Sequence, residues 1–225
     1  MKNFVISLGG SLIVPDKTDE EFVERFVQFI SKEVAKGSQF FIVTGGGAAA
    51  RRNIKKLKDS GEASNEAMDW AGIEATKDNA KLLVTAFGDL ARQEIITDPS
   101  VKETQLHSVN VASGWKPGHS TDLVAVKLAE TYGADTVINL SNIDYVFDKD
   151  PRKFPDARKF EHMSWPEFRN LFGSTWDPGA NVPFDPVAAA LAEKNKTKVV
   201  ILNGTNLKNF QQFLAGKIFQ GTVIK

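Results

Sequence analysis

The chain has 225 residues, of which 42% are hydrophobic and 25% are charged, and its 28 basic residues balance 28 acidic ones. This length suits one α/β domain or two closely fused halves, with enough apolar residues for a sizeable core. A net charge of zero argues against a protein that coats nucleic acid, which needs a basic face. Because these 225 residues include no cysteine, disulfide scaffolds, thiolate metal sites and cysteine nucleophiles are excluded.

The N-terminal segment, MKNFVISLGG, has a short apolar run interrupted by glycines and differs in this from a secretory signal peptide. No apolar stretch approaches the ~18 residues of a membrane-spanning helix. Asn195 and Asn203 match the glycosylation pattern, but such short patterns arise by chance. We therefore expect a cytoplasmic protein without a membrane segment.

The first predicted elements are a strand and an amphipathic helix. Residues 3–8 (NFVISL) predict a short buried strand that ends at a pair of glycines. Thr18 and Glu21 predict a capping box, in which the hydroxyl and the carboxylate satisfy free N–H groups at a helix start. The helix that follows carries an apolar stripe at helical spacing and ends at Gly37.

A second strand and helix follow in the same order. Residues 39–44 predict a strand that runs directly into the glycines at 45–47, and the helix after them is rich in alanine and basic residues. Strand, helix, strand, glycine turn and helix in succession are typical of a parallel sheet with crossover helices. The sequence therefore predicts an α/β fold.

The remaining elements are predicted with varying clarity. Residues 65–92 predict one long helix or two joined ones, and 94–113 are ambiguous but strand-rich. Further predicted strands lie at 136–140, 198–202 and 222–225. One further helix runs to Glu130 and is followed by Gly133, and two others lie at 164–172 and 206–215. Another helix begins at Pro186 with Asp185 as its N-cap. A loop rich in glycine, proline and aspartate precedes Asp185.

Two glycine clusters follow strands directly, at 8–11 (LGGS) and 44–51 (TGGGAAAR). Glycines let backbone N–H groups approach a phosphate because no Cβ is in the way, and a following helix N-terminus adds partial positive charge. A tight strand–helix turn is the alternative explanation for either cluster alone. Two such turns after successive strands favour phosphate binding at a shared site.

Two familiar nucleotide-binding motifs do not explain these clusters. The P-loop pattern is absent from the sequence. Gly45, Gly47 and Ala50 match the dinucleotide fingerprint, which requires an acidic residue about 20 positions on, at the end of a strand. The candidate, Asp69, lies in a helical context, so we reject a dehydrogenase.

Six segments carry a resemblance to a known family. They are 8–15 (LGGSLIVP), 44–54 (TGGGAAARRNI), 69–83 (DWAGIEATKDNAKLL), 114–130 (GWKPGHSTDLVAVKLAE), 141–157 (SNIDYVFDKDPRKFPDA) and 184–194 (FDPVAAALAEK). In this order and spacing, which span nearly the whole chain, the sequence resembles the amino-acid-kinase superfamily, and specifically the archaeal-type uridylate (UMP) kinases.

The resemblance implies a fold and a reaction. The fold is a three-layer α/β/α sandwich with a mostly parallel central sheet, as in carbamate kinases. It forms a single domain over 1–225, with an acceptor-binding lobe at about 1–133, an ATP-binding lobe at about 134–225 and one continuous sheet. The reaction transfers the γ-phosphoryl group of ATP to UMP, with Mg²⁺ bound mainly through nucleotide phosphates rather than by a protein metal site. A homo-oligomer, hexamer or dimer, is also implied.

The resemblance further implies roles for individual residues. Catalytic roles fall on Arg51 and Asp122. ATP contacts fall on Gly9, Gly10, Ser11, Gly47, Arg51, Ser141, Phe147 and Asp150. Acceptor contacts fall on Gly46, Asp69, Gly114, Trp115, Lys116, Pro117, Gly118, His119, Ser120 and Thr121.

The chemistry of these residues leaves some alternatives open. The planar guanidinium of Arg51 suits bridging phosphate oxygens, whereas its neighbours Arg52, Lys55, Lys56 and Lys58 are interpreted as a solvent-facing side of the helix. Ser120, Thr121, Asp122 and Asp185 also have ordinary explanations at helix starts, and no catalytic role is assigned to Asp185. Among the tryptophans, Trp115 is a candidate to cover a nucleotide, and we interpret Trp70, Trp165 and Trp176 as packing residues.

Departures from the family pattern keep other functions open. Ser7 stands where many superfamily members have a lysine directed at the transferring phosphate, so Mg²⁺, Arg51 or Lys116 must replace that cation. Tyr145 replaces a glycine and Lys77 an arginine. The alternatives are a kinase for isopentenyl phosphate or a carboxylate, or a non-catalytic nucleotide-binding or storage protein. Isopentenyl phosphate kinases typically have a histidine where this chain has Thr44.

Overall fold

The structure, a computed structural model, describes residues 2–61, 64–173 and 182–225. Most of the loop predicted before Asp185, including Trp176, lies outside the described residues. Of the other tryptophans predicted to pack inside the protein, Trp165 is buried, but Trp70 is 42% exposed, so that prediction is wrong for Trp70. None of the helices in the described part of the chain is both long and apolar enough to cross a membrane.

The strands and helices of the described ranges have the following bounds. The strands are β1 (Lys2–Leu8), β2 (Ser38–Thr44), β3 (Val109–Ala112), β4 (Thr136–Ser141), β5 (Val146–Phe147), β6 (Lys159–Phe160), β7 (His162–Met163), β8 (Lys198–Asn203) and β9 (Thr222–Ile224). The helices are α1 (Gly10–Ile13), α2 (Glu20–Ala35), α3 (Gly47–Ser60), α4 (Asn65–Phe87), α5 (Thr121–Tyr132), α6 (Trp165–Phe172), α7 (Pro186–Lys194) and α8 (Leu207–Leu214).

Seven strands form one sheet in the order β3-β2-β1-β4-β8-β9-β7. The neighbouring strands are parallel except β8 and β9, which pair antiparallel, and β5 and β6 form a separate small antiparallel pair. Leu8 is in register with Thr44 on one side and with Leu140 on the other. Three central strands therefore end at the same edge of the sheet. The mostly parallel sheet confirms the predicted fold class.

Each face of the sheet is covered by its own hydrophobic core. In β1, Phe4, Ile6 and Leu8 face one core and Val5 faces the other, as the two-residue period of a strand requires. Helices α2, α4 and α8 contribute to the first core, and α5, α6 and α7 to the second. This is the predicted three-layer arrangement.

Helix α2 begins one residue later than the capping box predicts. Asp19, rather than Thr18, is the N-cap, and its carboxylate accepts a hydrogen bond from the Phe22 N–H at 2.9 Å. Aspartate is at least as good an N-cap as threonine, and two glutamates in the first turn complement the helix dipole. The predicted capping box on Thr18 is therefore wrong, whereas the predicted helix is confirmed.

The segment between the triple glycine and α5 differs most from its prediction. Helix α4 ends at Phe87, where Gly88 adopts a φ of +55° that favours glycine, and a short 3₁₀ turn follows. The region 94–113 contains only β3 as a strand, with isolated bridges to it from Ala91 and Ile96. This segment therefore runs mostly as loop along the edge of the sheet.

Candidate functional site

The glycine turns after β1 and β2 touch each other. The Gly45 N–H donates a hydrogen bond to the Leu8 carbonyl at 2.8 Å. A Cβ added to Gly10 would lie 2.2 Å from the Gly47 nitrogen and 2.4 Å from the Gly45 oxygen. No other residue fits at position 10 unless the backbone shifts. The two turns therefore form one continuous backbone surface at the edge of the sheet.

Two longer helices begin beside these turns. Gly47, with a φ of +60°, carries the chain from β2 into α3. Ser120 is the N-cap of α5, and its hydroxyl accepts a hydrogen bond from the Leu123 N–H at 3.0 Å, as predicted. Helix N-termini carry free N–H groups and partial positive charge. Both helix starts border the same space, because Gly46 and Thr121 line one cavity.

That cavity has a volume of about 630 Å³, which is ample for a small-molecule ligand. Its lining comes from α3 and the turn before it (Gly46, Ala50, Arg51, Ile54, Lys55, Lys58, Asp59), from α4 (Met68, Asp69, Gly72, Ile73, Thr76) and from the loop before α5 (Gly114, His119, Ser120, Thr121). Cationic side chains lie on the α3 side and the Asp69 carboxylate on the α4 side. The cavity therefore suits an anionic ligand that also bears hydrogen-bond donors.

Arg51 and Arg52 have different environments although they are neighbours in sequence. Arg51 lines the cavity and, among the described residues, has neither an ion-pair partner nor a side-chain hydrogen bond. Arg52 lies against Asp16 instead, where its guanidinium donates to the backbone oxygen at 2.8 Å and to the carboxylate at 3.2 Å. The guanidinium of Arg51 is thus available to a ligand.

Two lysines of α3 that were predicted on the solvent-facing side of the helix are exposed, and both also border the cavity. Lys55 and Lys58 line the cavity together with Asp59, and Lys55 forms an ion pair with Asp59 at 2.7 Å. The helical repeat explains why these exposed lysines border the cavity, since Arg51, Lys55 and Lys58 lie on one side of a helix and α4 packs beside α3.

The loop at 114–120 is attached to α4 at two points. The Gly114 N–H donates to the Thr76 hydroxyl at 2.7 Å, and the Gly118 N–H donates to the Asp69 carboxylate at 2.7 Å. Asp69 therefore contacts the loop in the structure. The sequence resemblance implies that both Asp69 and this loop belong to the acceptor site. Gly118 has a φ of +76°, which favours glycine at this turn.

Four predicted acceptor residues of this loop are not part of the cavity wall, namely Trp115, Lys116, Pro117 and Gly118. Trp115 packs edge-on against the His119 ring at 4.8 Å between centroids, and Lys116 places its ammonium 3.8 Å from the indole centroid. The indole is therefore occupied by its own neighbours and does not cover the cavity. Lys116, likewise, does not line the cavity in this structure.

Asp122 is held by three hydrogen-bond donors. Its Oδ1 accepts from the Ser7 hydroxyl at 2.8 Å and from the Asn139 amide at 2.9 Å, and its Oδ2 accepts from the Asp185 N–H at 3.1 Å. Burial raises the pKa of the Asp122 carboxyl group to about 6, although these hydrogen bonds oppose the shift. Asp122 thus connects β1, β4 and the start of α7.

Asp185 is confirmed as the N-cap of α7, because its Oδ1 accepts from the Val187 N–H at 2.9 Å. Its other oxygen accepts a hydrogen bond from the Ser120 hydroxyl. The starts of α5 and α7 are therefore joined through two capping side chains. This link was not predicted, since it depends on the packing of two distant helices.

The predicted ATP residues lie along the sheet edge and beyond it. Gly9 donates to the Leu140 carbonyl at 2.8 Å, Ser11 lies in α1, and the buried Ser141 hydroxyl has no hydrogen-bond partner among the described residues. An unsatisfied buried hydroxyl is uncommon without a ligand or water. The Ser141 hydroxyl therefore lies beside the first glycine turn with its hydrogen-bonding capacity unused in the described part of the chain.

Phe147 and Asp150 lie in the segment after β4. Phe147 pairs with Lys159 in the small β5–β6 sheet. The Arg152 guanidinium and backbone N–H both donate to Asp150, and they lower the pKa of its carboxyl group. Asp150 therefore stabilises its own turn, and the structure brings neither residue into the cavity wall.

Several polar residues of the site were missed from the sequence. The Asn79 amide donates to the Gly45 carbonyl at 2.7 Å, and Thr44 donates to the Thr76 carbonyl at 2.9 Å. On α4, polar residues recur at Asp69, Thr76 and Asn79 in a helix that otherwise buries apolar residues. Their spacing of seven and three residues indicates one face of a helix, and this signal could have identified them.

Comparisons with known proteins now bear on this geometry. A family model described as the Amino acid kinase family matches residues 2–203. The chain belongs to the amino acid kinase family. A uridylate kinase from Pyrococcus abyssi is 35% identical over 224 residues, covering 98% of both chains. One from Methanocaldococcus jannaschii is 36% identical over 227 residues, again covering 98% of both.

A solved structure agrees with this family assignment. The uridylate kinase from Archaeoglobus fulgidus superposes with a TM-score of 0.84 at 35% identity, covering 100% of both chains. Within the ranges 2–61, 64–173 and 182–225, no group of three or more acidic or histidine side chains could hold a metal ion. The amino acid kinase fold of this chain therefore presents glycine turns, a cationic helix face and one cavity at the same sheet edge.

Proposed function

We propose that this protein is a UMP kinase that transfers the γ-phosphoryl group of ATP to UMP, giving UDP and ADP. The observation that carries the proposal is the direct contact of two glycine turns beside a cavity with Arg51 on one wall and Asp69 on another. Two uridylate kinases related over nearly their full length favour this acceptor.

In this reaction the phosphates of both nucleotides would lie along the joined glycine turns. Backbone N–H groups and the N-termini of α3 and α5 would stabilise their negative charge. Arg51 would bridge the transferring group, since phosphoryl transfer depends mainly on positioning and charge neutralisation. Arg51 is favoured over Lys116 as the replacement for the missing lysine because Arg51 lines the cavity.

The acceptor needs no general base. A phosphate monoester has a second pKa near ~6 and is largely ionised at neutral pH, so its oxygen can attack the γ-phosphorus directly while ADP leaves. Asp122 is therefore assigned a positioning role. It holds Ser7 and Asn139 at the ends of β1 and β4, next to the first glycine turn.

On the acceptor side, Asp69 would accept hydrogen bonds from the ribose hydroxyls of UMP. Thr44 favours this acceptor over isopentenyl phosphate. Where kinases for that substrate have a histidine, Thr44 is buried and donates to backbone carbonyls of α4 and β3.

Donor binding, the metal ion, location and assembly complete the proposal. ATP would use Gly9, Gly10, Ser11 and Ser141, with Phe147 and Asp150 nearer its adenosine. Mg²⁺ bound to the ATP phosphates would neutralise part of their charge, and it commonly needs only one or two protein carboxylates. The protein would work in the cytoplasm as a homo-oligomer.

The proposal is tested by ADP release from ATP and Mg²⁺ over a panel of acceptors. The panel contains UMP, CMP, dUMP, isopentenyl phosphate and acetylglutamate, and we expect the highest kcat/KM with UMP. Tight ATP binding without transfer to any acceptor would support the storage alternative instead, and preference for a non-nucleotide acceptor would replace UMP kinase by that activity.

Arg51 and Arg52 provide a matched pair of variants for the same assay. We expect Arg51→Ala to lower kcat by about 10²–10³, the usual loss for a group that stabilises transition-state charge. Arg52→Ala removes the same charge one position away, where it contacts Asp16, and should change kcat less than about twofold. Equal losses in both variants would contradict the role given to Arg51.

A further inference from the structure

The 114–120 loop is held at its two ends by buried or partly buried hydrogen bonds. Between them, Trp115 packs against the second hydrophobic core, and one exposed hydrogen bond joins the loop to α4. The first residue is fixed by the buried hydrogen bond from Gly114 to Thr76. The last, Ser120, is fixed by its links to Leu123 and Asp185. Between them, the exposed hydrogen bond from the Gly118 N–H to Asp69, at 2.7 Å, joins the loop to α4.

This contact uses only one oxygen of the Asp69 carboxylate. Gly118 donates to Oδ2, and in the described part of the chain Oδ1 accepts no hydrogen bond. Asp69 also lines the cavity. A carboxylate can accept several hydrogen bonds at once, so Oδ1 is open to a donor on a ligand while Oδ2 keeps the loop.

We propose that Asp69 is a positioning residue as well as an acceptor ligand: Oδ2 fixes the 114–120 loop while Oδ1 binds a sugar hydroxyl. Its role toward the ligand rests on the proposed function, whereas its role toward the loop does not. The sugar and the loop then favour the same orientation of the Asp69 side chain. A bound sugar therefore stabilises the loop contact, and the loop contact stabilises sugar binding. The loop in turn places His119, Ser120 and Thr121 on the cavity wall.

The two roles separate in the variants Asp69→Asn and Asp69→Ala. The asparagine carbonyl can still accept from the Gly118 N–H, but its NH₂ group replaces the ionised oxygen offered to the sugar. Alanine removes both. Asp78→Asn and Asp78→Ala are the matched controls, because Asp78 is an exposed aspartate of the same helix, paired with Lys81.

The first measurement is the solvent exchange rate of the Gly118 amide, by nuclear magnetic resonance without any nucleotide. We expect Asp69→Ala to accelerate exchange about tenfold, as loss of a charge-assisted hydrogen bond predicts, while Asp69→Asn and both Asp78 variants stay near the wild-type rate. An unchanged rate in Asp69→Ala would overturn the loop contact. A rate in Asp69→Asn as fast as in Asp69→Ala would overturn the separation of the two roles.

The second measurement is steady-state kinetics with UMP at saturating ATP. Asp69→Asn should raise the KM for UMP about tenfold with kcat retained, because a neutral donor replaces a charged acceptor. Asp69→Ala should also lower kcat, since the middle of the loop loses its hydrogen bond to α4. A normal KM in Asp69→Asn would overturn the shared role. A wild type inactive with every nucleotide would overturn the proposed function but not the exchange result.

Discussion

Ser7 and Asp122 form a buried hydrogen-bonded pair near the end of β1. Ser7 is 4% exposed, and its hydroxyl donates to the Asp122 carboxylate at 2.8 Å. A neutral donor stabilises a buried carboxylate less than an ammonium would. Consequently the burial of Asp122 dominates, and its pKa rises to about 6.

This raised pKa predicts a pH-dependent stability. A carboxyl group whose pKa is higher in the folded protein than in the unfolded chain favours folding while it is protonated. That contribution is complete below a pH of about 4 and is lost as the pH rises through about 6. In wild type, the unfolding free energy should fall between pH 4.5 and 7.5 as Asp122 loses its proton. Asp122→Asn cannot lose this proton, so its unfolding free energy should fall less than that of wild type, by a difference of at most about 3 kcal/mol. Urea denaturation at both pH values measures this.

Asp89→Asn is the control for that experiment, because Asp89 is exposed on the short turn after α4. It should leave the pH dependence of wild type unchanged. If Asp122→Asn and wild type lose the same free energy between the two pH values, Asp122 does not titrate in this window, and the raised pKa is contradicted.

At the scale of elements, the contact between the two glycine turns predicts a large effect of one methyl group. Gly10→Ala would bring its Cβ against backbone atoms of Gly45 and Gly47, which cannot move as a flexible side chain does. We expect it to lower the unfolding free energy by about 3 kcal/mol or more. It should also weaken ATP binding, measured by calorimetry, because both turns must shift.

Gly72→Ala is the comparison for this variant. Gly72 lies within α4, and a Cβ there would meet no atom within 4 Å. Alanine should therefore stabilise the helix by roughly 0.5–1 kcal/mol. Equal destabilisation by both substitutions would contradict the steric explanation for Gly10.

Elements that depend on local pattern were predictable from the sequence. Buried runs followed by glycine predicted β1, β2 and the turns after them, and Asp185 before a proline predicted the start of α7. Features that depend on tertiary contact were not. Thr18 and Asp19 are both suitable N-cap residues, and their sequence does not show that Asp19 is the one used. The path of 94–113 depends on the edge strand beside it.

The candidate site divides in the same way. The glycine turns and Arg51 follow from motifs whose backbone and charge requirements are local. The positions of Lys55 and Lys58 on the cavity wall depend on α4 packing beside α3. Trp115 contacts Lys116 and His119 instead of the cavity, and these contacts could not be inferred from its place in the loop sequence.

At the scale of the whole molecule, the two predicted lobes share both the sheet and the cores. β1, from the first 133 residues, pairs with β4, from the remainder. Each core also draws on both parts, since one contains Phe26 and Phe210 and the other contains Phe41 and Phe168. Each face of the sheet is therefore covered only when residues from both parts of the chain are present, so the lobes should not fold independently.

We therefore predict that the chain unfolds in one cooperative transition. Far-ultraviolet circular dichroism and tryptophan fluorescence should give the same urea midpoint. Phe26→Ala in the first part and Phe168→Ala in the second, both fully buried, should each shift the whole transition by about 3–5 kcal/mol. Two separable transitions, or a variant that moves the midpoint of only one probe, would contradict a shared core. Because the glycine turns lie where β1, β2 and β4 end together, such cooperativity would couple the geometry of the site to both halves of the chain.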